Sequence, residues 1–378
     1  MKIAVLNRVF ARTGGGAERY SMALVEQLAA HHEIHVFAQE ISHQWPHVRY
    51  HRVSHPFTRP RWLNQLWYAF ITWMKTRKGF DIVHSHENVW HGNVQTMHVK
   101  TVSRSRFGDR KGLPFVRRLI ATAFNARLIT YLLFERARMS AGDSRAVVAV
   151  SDSLRKELVE EYPESRKMLY VISPGVNLPS QHVSKSDARR ALGIAQDGNV
   201  LLFIAKDYAR KGLSALLQAL RDIPLDVRLM VIGNTNQIFR FRTEAVTLKI
   251  DSRVHFLGAL EHIDLAYQAA DILVHPTLED SFGMVVLEAM AYRLPVIVSD
   301  RKYCGASALL TDRVHALLLA DPQKVCMLKE SVMCILNSIE LSNRLRENGF
   351  CLAQKHSWQA TAMAYDEIYK KVCVGRHI

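Results

Sequence analysis

The sequence predicts an α/β protein built as two doubly wound domains, and three observations carry that expectation. Short β-branched runs alternate with segments of helical periodicity along most of the chain, the pattern of parallel strands covered by helices on both faces. The alternation comes as two series, separated between about Asn177 and Ala195 by a stretch where polar and turn residues gather. The length, 378 residues, is long for one compact domain and comfortable for two.

In the first series, Lys2–Leu6 reads as a buried strand, followed by a glycine loop over Thr13–Gly16 and helical periodicity over Glu18–Ala30. Strands follow at Glu33–Ala38, Phe80–Ser85 and Ala146–Val150. Ser151 is placed to cap the helix Asp152–Tyr162, and Met168–Ile172 is the next strand. The second series runs strand Asn199–Ala205, helix Gly212–Arg221, and strands Val227–Gly233, Val254–Phe256 and Ile272–His275. A loop, the helix Gly283–Ala291 and the strand Pro295–Ser299 close it. A last helix, Trp358–Val372, follows the completed series with no place assigned by periodicity, and no short internal repeat is visible.

Composition excludes several classes. With 48% hydrophobic and 22% charged residues and only 18 Gly and 11 Pro, the chain is neither disordered nor fibrous. No run of 18 apolar residues occurs, so no helix is expected to span a membrane. The start, Met1 to Arg8, reads as a strand and reaches a charge too early for a secretory signal. The expected location is therefore the cytoplasm or the cytoplasmic face of the inner membrane. The five cysteines, Cys304, Cys326, Cys334, Cys351 and Cys373, include no C-x-x-C pair, so free thiols are expected rather than disulfides or a zinc site.

The formal net charge of +15 is unevenly spread. Residues 52–138 hold 16 Lys/Arg against 4 Asp/Glu, and this one segment accounts for the whole excess of the first half. It also carries Trp62, Leu63, Leu66, Trp67, Phe70, Trp73 and Met74 at helical spacing, with Arg59 and Arg61 before and Lys75, Arg77 and Lys78 after. Two readings stand: a helix lying on an anionic membrane, or an amphipathic helix packed on a sheet with solvated charges. Nucleic acid is not an expected partner, because no helix-turn-helix, zinc-finger or RNA-recognition pattern accompanies the charge.

Three stretches carry chemistry. Thr13 to Arg19 joins a strand to a helix through adjacent glycines, which let backbone N–H groups approach an anion. Its spacing departs from the dinucleotide G-x-G-x-x-G loop, since Arg19 stands at the third glycine position. Lys206, Arg210 and Lys211 gather where a strand opens into a helix, a set suited to a diphosphate. Asp280 and Glu288 stand eight apart across a helix start, with the backbone from Phe282 through Gly283 and Met284 to Val285 available to a phosphate and the two acids to sugar hydroxyls. His84, His86 and His91 have a spacing that fits no usual metal site.

On these residues the chain resembles the family 4 retaining glycosyltransferases. Asp280 and Glu288 match the two acids of the family's E-x7-E motif, the first one methylene shorter, with Glu279 beside it. Gly15 to Arg19 resembles the N-terminal glycine loop, Asp81 to His86 the strand ending in His, and Pro174 to Asn177 the turn into the linker. Arg210-Lys211-Gly212 resembles the phosphate-binding element, and Leu294 to Ile297 a strand in which a Gly commonly stands at the place of Arg293. Arg210 directly before Lys211 is most similar to the lipopolysaccharide-core glucosyltransferase I branch.

The resemblance implies a GT-B fold, two Rossmann-like domains facing across a cleft. It places an acceptor-side domain over 1–178, a nucleotide-sugar domain over 195–355, and a closing helix within 356–378 that crosses back to the first domain. It implies retaining transfer of a hexosyl group, from a UDP-glucose-like donor to a glycan or lipid-linked acceptor in cell-surface polysaccharide or lipopolysaccharide synthesis. Asp280, His86, Arg210 and Lys211 take catalytic roles. Gly15, Gly16, Arg210, Lys211, Asp280, Phe282, Gly283, Met284, Val285 and Glu288 bind the donor. No cofactor and no essential metal are expected. Segment 52–138 would meet an anionic membrane. Two alternatives stay open on the sequence: a sugar-nucleotide epimerase, and a non-catalytic glycan- or lipid-binding partner with a degenerate donor site.

Overall fold

The computed structural model describes residues 1–11, 15–108, 112–140, 142, 144–233 and 235–374. It divides into two compact units, Met1–Pro174 with Trp358–Ile378, and Gly175–Ser357.

The first unit is built on a seven-stranded sheet, all parallel, in the spatial order Val48–Arg52, Glu33–Ala38, Lys2–Leu6, Ile82–Ser85, Val94–Met97, Ala146–Ala149, Leu169–Val171. The central strands are buried along nearly their whole length, as expected of a parallel sheet covered on both faces. Strand order reverses between Lys2–Leu6 and Ile82–Ser85. Doubly wound sheets open a crevice at such a point, beyond the carboxyl ends of the strands.

Two strands of this sheet are absent from the pattern expected above. Val94–Met97 carries Gln95 and Thr96 at buried positions, so it lacks the apolar run by which a central strand is read. Val48–Arg52 is an edge strand with alternating basic residues.

The helix Trp358–Val374 belongs to this unit, and polar groups anchor it there. The Tyr365 hydroxyl lies 2.9 Å from the Tyr20 hydroxyl and 2.7 Å from Thr96 Oγ1, while the Tyr369 hydroxyl lies 2.8 Å from His84 Nδ1. All of these groups are buried, so the pairing satisfies atoms that would otherwise be costly to desolvate.

The helix Arg61–Thr76 turns polar residues inward. Asn64, Gln65, Tyr68, Thr72 and Thr76 are buried, and Asn64 and Gln39 exchange two amide hydrogen bonds of 2.9 Å. Leu66 and Ile71 pack half-buried on the core, whereas Phe70, Trp73 and Met74 are 45%, 37% and 48% exposed. Further along, the helices Leu113–Ala123 and Ala126–Met139 expose Leu119, Ile120, Ile129 and Leu133.

The second unit holds a six-stranded parallel sheet in the order Val254–Gly258, Val227–Gly233, Asn199–Ala205, Ile272–His275, Val296–Ser299, Leu317–Leu319. Its core joins Leu201, Phe203, Leu229 and Val231 of the strands to Leu213, Leu216, Leu217 and Leu220 of the helix Leu213–Arg221. The stretch read as a linker carries the helix Lys185–Ala191, which belongs to this unit. Its buried Arg189 donates to the Ala269, Gln196 and Gly198 carbonyls and pairs with Asp271 at 2.7 Å. A helix of seven mostly polar residues offers little periodicity to read.

Candidate functional site

The second sheet also reverses strand order between its two central strands, Asn199–Ala205 and Ile272–His275. The loops leaving their carboxyl ends are Lys206 to Gly212 and Pro276 to Gly283, so the topology alone brings the basic loop and the acidic loop together. The Leu278 N–H donates to the Arg210 carbonyl at 2.9 Å. Gly212 sits at φ +81, and a Cβ there would lie 2.0 Å from the Pro276 carbonyl oxygen, so only glycine permits this approach. Gly283, at φ +92, faces the Cys304 sulfur and caps the helix Met284–Ala291.

Within this junction Lys211 Nζ lies 2.6 Å from Asp280 Oδ2 and donates to the Glu279 carbonyl at 2.8 Å. His275 Nε2 lies 3.1 Å from the same Asp280 oxygen, and Asp280 Oδ1 accepts from the Phe282 N–H at 3.3 Å. Burial alone would raise the Asp280 pKa. The His275 hydrogen bond and the Lys211 charge outweigh it and hold the carboxyl well below its usual range. Burial lowers His275 despite Asp280, so its ring is neutral at pH 7. Burial, aided by the charge of Asp280, pushes the Cys304 thiol up to about 12, so it is an inert neighbour and not a nucleophile.

Arg210 is exposed beside Lys211, and its N–H donates to Asp207 Oδ1 at 3.2 Å. The junction thus holds one paired cation, Lys211, and one exposed one, Arg210, against a buried carboxylate, next to a helix start formed by Phe282, Gly283, Met284 and Val285. Such a set can receive a diphosphate and, through Asp280, sugar hydroxyls. Glu288 lies on the same helix, farther from its start, and accepts from the Tyr267 hydroxyl at 2.6 Å.

The remaining expected residues lie in the first unit. Gly15 and Gly16 open the helix Gly16–Leu28, with Gly15 at its cap; the other part of that loop, Thr13 and Gly14, is outside the described residues. His86 follows the strand Ile82–Ser85 at the first sheet's reversal point, and its N–H donates to the Leu6 carbonyl. Its Nδ1 lies 2.9 Å from His98 Nε2, while its Nε2 is buried without a hydrogen-bond partner. Burial and the neighbouring His84 and His98 hold His86 neutral, far below its ordinary pKa. Its uncharged ring with one orphaned nitrogen is suited to a sugar hydroxyl.

Three groups were given no role on sequence. His275 ends a strand five residues before Asp280 and supplies a second hydrogen bond to it; only the tertiary turn shows this. Tyr267 meets Glu288 from another helix. Arg8 and Glu87, just beyond the carboxyl ends of the two strands at the first reversal point, pair at 3.0 Å. His84 is taken up by Tyr369 and Thr96. Among the described residues no group of three or more His, Cys, Asp or Glu is placed to hold a metal ion.

Comparison with known proteins bears on these two units separately. Residues 14–179 match the model of Glycosyltransferase Family 4, and residues 184–350 that of Glycosyl transferases group 1. Lipopolysaccharide glucosyltransferase WaaG of Escherichia coli strain K12 is 27% identical over 227 residues, 58% of this chain and 60% of that protein's own length. A D-inositol 3-phosphate glycosyltransferase of Saccharomonospora viridis is 30% identical over 324 residues, 77% of this chain and 70% of the relative.

Among solved structures, that of WaaG, described as a glycosyltransferase involved in lipopolysaccharide biosynthesis, superposes with a TM-score of 0.83 at 22% identity, covering 97% of this chain and 99% of that one. HepE of Anabaena in complex with UDP-glucose gives a TM-score of 0.76 at 17% identity, with coverages of 97% and 98%. The fold is therefore that of the GT-B glycosyltransferases, and the chain belongs to glycosyltransferase family 4.

Proposed function

We propose that this glycosyltransferase moves a hexosyl group from UDP-glucose, with retention at the anomeric carbon and without an essential metal, to a glycan or lipid-linked acceptor of lipopolysaccharide or cell-surface polysaccharide synthesis. The observation that carries the reading is the junction of Lys211, Asp280 and His275 at the strand-order reversal of the second sheet.

Lys211 spends two of its three N–H donors on Asp280 and the Glu279 carbonyl, leaving one for a leaving-group phosphate. With Arg210 it offsets the charge that grows on the diphosphate as the bond from the sugar's anomeric carbon breaks. The acceptor oxygen forms its bond on the same face, and its proton passes to the departing diphosphate. Asp280, fixed by His275, orients the sugar hydroxyls; Glu288 and Tyr267 form the wall toward the ribose. His86 offers its orphaned Nε2 to a hydroxyl, and Gly15 and Gly16 open a helix whose N-terminus suits an anion. HepE, crystallised with UDP-glucose, supports the choice of donor.

The relatives' names divide over the acceptor, a lipopolysaccharide for one and D-inositol 3-phosphate for the other. The exposed Phe70, Trp73 and Met74, flanked by Lys75, Arg77 and Lys78, favour an acceptor at an anionic membrane face. No helix among the described residues is long and apolar enough to cross a membrane.

The test is transfer from UDP-glucose to truncated lipopolysaccharide core and to D-inositol 3-phosphate in parallel, with EDTA present and the product anomer read by NMR. An axial glucosyl product on the core supports the reading. An inverted product, or transfer to the inositol phosphate alone, contradicts it.

A further inference from the structure

The second unit contains a cavity of about 440 Å³ that none of the donor-site reasoning uses. It lies against Ala291, Tyr292, Arg293 and Leu294, at the far end of the helix whose start, Gly283 to Val285, faces the donor junction. Eight residues of helix put these two ends about 12 Å apart. Sugar- and nucleotide-sized ligands occupy cavities of this size.

Its chemistry is one-sided. His182, Lys185, Arg293 and Arg346 line it, and none of the described lining residues is acidic. Two of these cations are already committed: Lys185 pairs with Asp271 at 2.6 Å, and Arg293 with Glu347 at 2.6 Å. Arg346 is not. Its Nε is buried and has no hydrogen-bond partner, so no carboxylate or carbonyl of the chain fixes it there.

Arg293 adds an independent observation. The helix Met284–Ala291 ends in a left-handed turn, with the Leu294 N–H donating to the Ala289 carbonyl and the Arg293 N–H to the Met290 carbonyl, both at 3.0 Å. Glycine occupies that turn position without strain, whereas here Arg293 holds φ +56. Its guanidinium lies 3.9 Å from the centre of the Phe350 ring, at the cavity wall. A strained arginine that lines a basic cavity calls for a reason beyond the turn. Tyr292, stacked on Tyr267 at 5.1 Å, adds a second aromatic surface.

We propose that this cavity is a second ligand site, which takes a phosphomonoester borne on a ring. The phosphate would meet the Arg346 guanidinium, and the ring would pack on Tyr292 and Phe350. Tyr267 connects the site to the donor motif, since its ring stacks on Tyr292 and its hydroxyl donates to Glu288.

The test is calorimetric titration of the full chain with glucose 1-phosphate, uridine monophosphate and inorganic phosphate, repeated on Arg346→Gln, Arg293→Gly and Lys211→Ala. Arg293→Gly relieves the strained turn and should melt no lower than the native protein, so lost binding there is not lost folding. The expected result is a ring-phosphate site separate from any binding at Lys211, weakened at least tenfold in Arg346→Gln and Arg293→Gly and kept in Lys211→Ala. Whether the sugar or the nucleoside binds tighter identifies the ring. Binding that survives both cavity substitutions, disappears only with Lys211, or is absent for every probe overturns the proposal.

Discussion

Lys211 and Asp280 form an ion pair of 2.6 Å in which both side chains are largely buried, 13% and 20% exposed. The pair joins the two loops that leave the central strands of the second sheet, and His275 completes it from the end of one of those strands. An ion pair taken this far out of water gives little net stability, because desolvation offsets most of the attraction. Its presence here is explained by what it holds ready.

Removing the cation alone leaves Asp280 buried with its charge met only by His275 and the Phe282 N–H, so stability and catalysis should both fall. Lys211→Ala is expected to lower kcat/KM for the donor by about 10²–10³, the effect of deleting one preorganised charge at a developing anion. Steady-state kinetics against UDP-glucose checks it. A drop of less than threefold would remove Lys211 from the account.

The glycine at the loop crossing has no substitute. Gly212→Ala places a Cβ 2.0 Å from the Pro276 carbonyl oxygen, which forces the two loops apart. The expected cost is about 1–3 kcal/mol of stability together with loss of donor binding, read by thermal melting with and without nucleotide. Unchanged melting and binding would mean that the crossing is looser than described.

Acid should unfold the first unit early. Burial lowers His84 and His98 from 6.5 to about 3, so these rings stay neutral in the folded state while the unfolded chain takes up protons below about pH 6.5. Their contribution is complete above that pH and is lost as pH falls toward the folded values, by about 2 kcal/mol for each ring at pH 5. In the second unit Asp280 acts in the same direction at lower pH: with its pKa depressed, its contribution is complete above the ordinary value of 3.8 and is lost progressively as pH falls below it. Denaturant melts at pH 7, 6 and 5 check the slope; equal stability at pH 7 and pH 5 would contradict the neutral buried cluster.

The exposed face of the helix Arg61–Thr76 should matter for membranes and little for folding. Changing Phe70, Trp73 and Met74 to Ser is expected to shift stability by no more than about 0.5 kcal/mol each, since all three are exposed. Binding to phosphatidylglycerol vesicles should fall sharply, and in the native protein it should weaken as salt rises. Equal binding to neutral vesicles, or no change on substitution, would assign this face to something else.

Much of this was legible in the sequence, for identifiable reasons. Strands such as Asn199–Ala205 and Val227–Gly233 are buried on both faces and read as unbroken apolar runs. The meeting of the basic and acidic loops was legible because Lys211 and Asp280 follow the ends of neighbouring strands in a doubly wound pattern. Val94–Met97 was not, since its buried Gln95 and Thr96 are satisfied by Arg138 and by the buried hydroxyls and ring of Tyr365 and His84. The polar inner side of Arg61–Thr76 escaped for the same reason: its amides find partners that lie far away in sequence. His275 was overlooked because the turn that brings it to Asp280 is a tertiary feature.

The central claim is that the second unit binds a nucleotide-sugar through Lys211 and Asp280 without a metal. Thermal melting of the native protein and of Lys211→Ala with UDP-, GDP- and ADP-sugars, each with EDTA, tests it most directly. A ligand at one hundred times its dissociation constant adds about 2.7 kcal/mol, which is a shift of several degrees. UDP-glucose in EDTA is expected to give such a shift, and Lys211→Ala to lose it. No shift with any nucleotide-sugar, or one that EDTA abolishes, would contradict it.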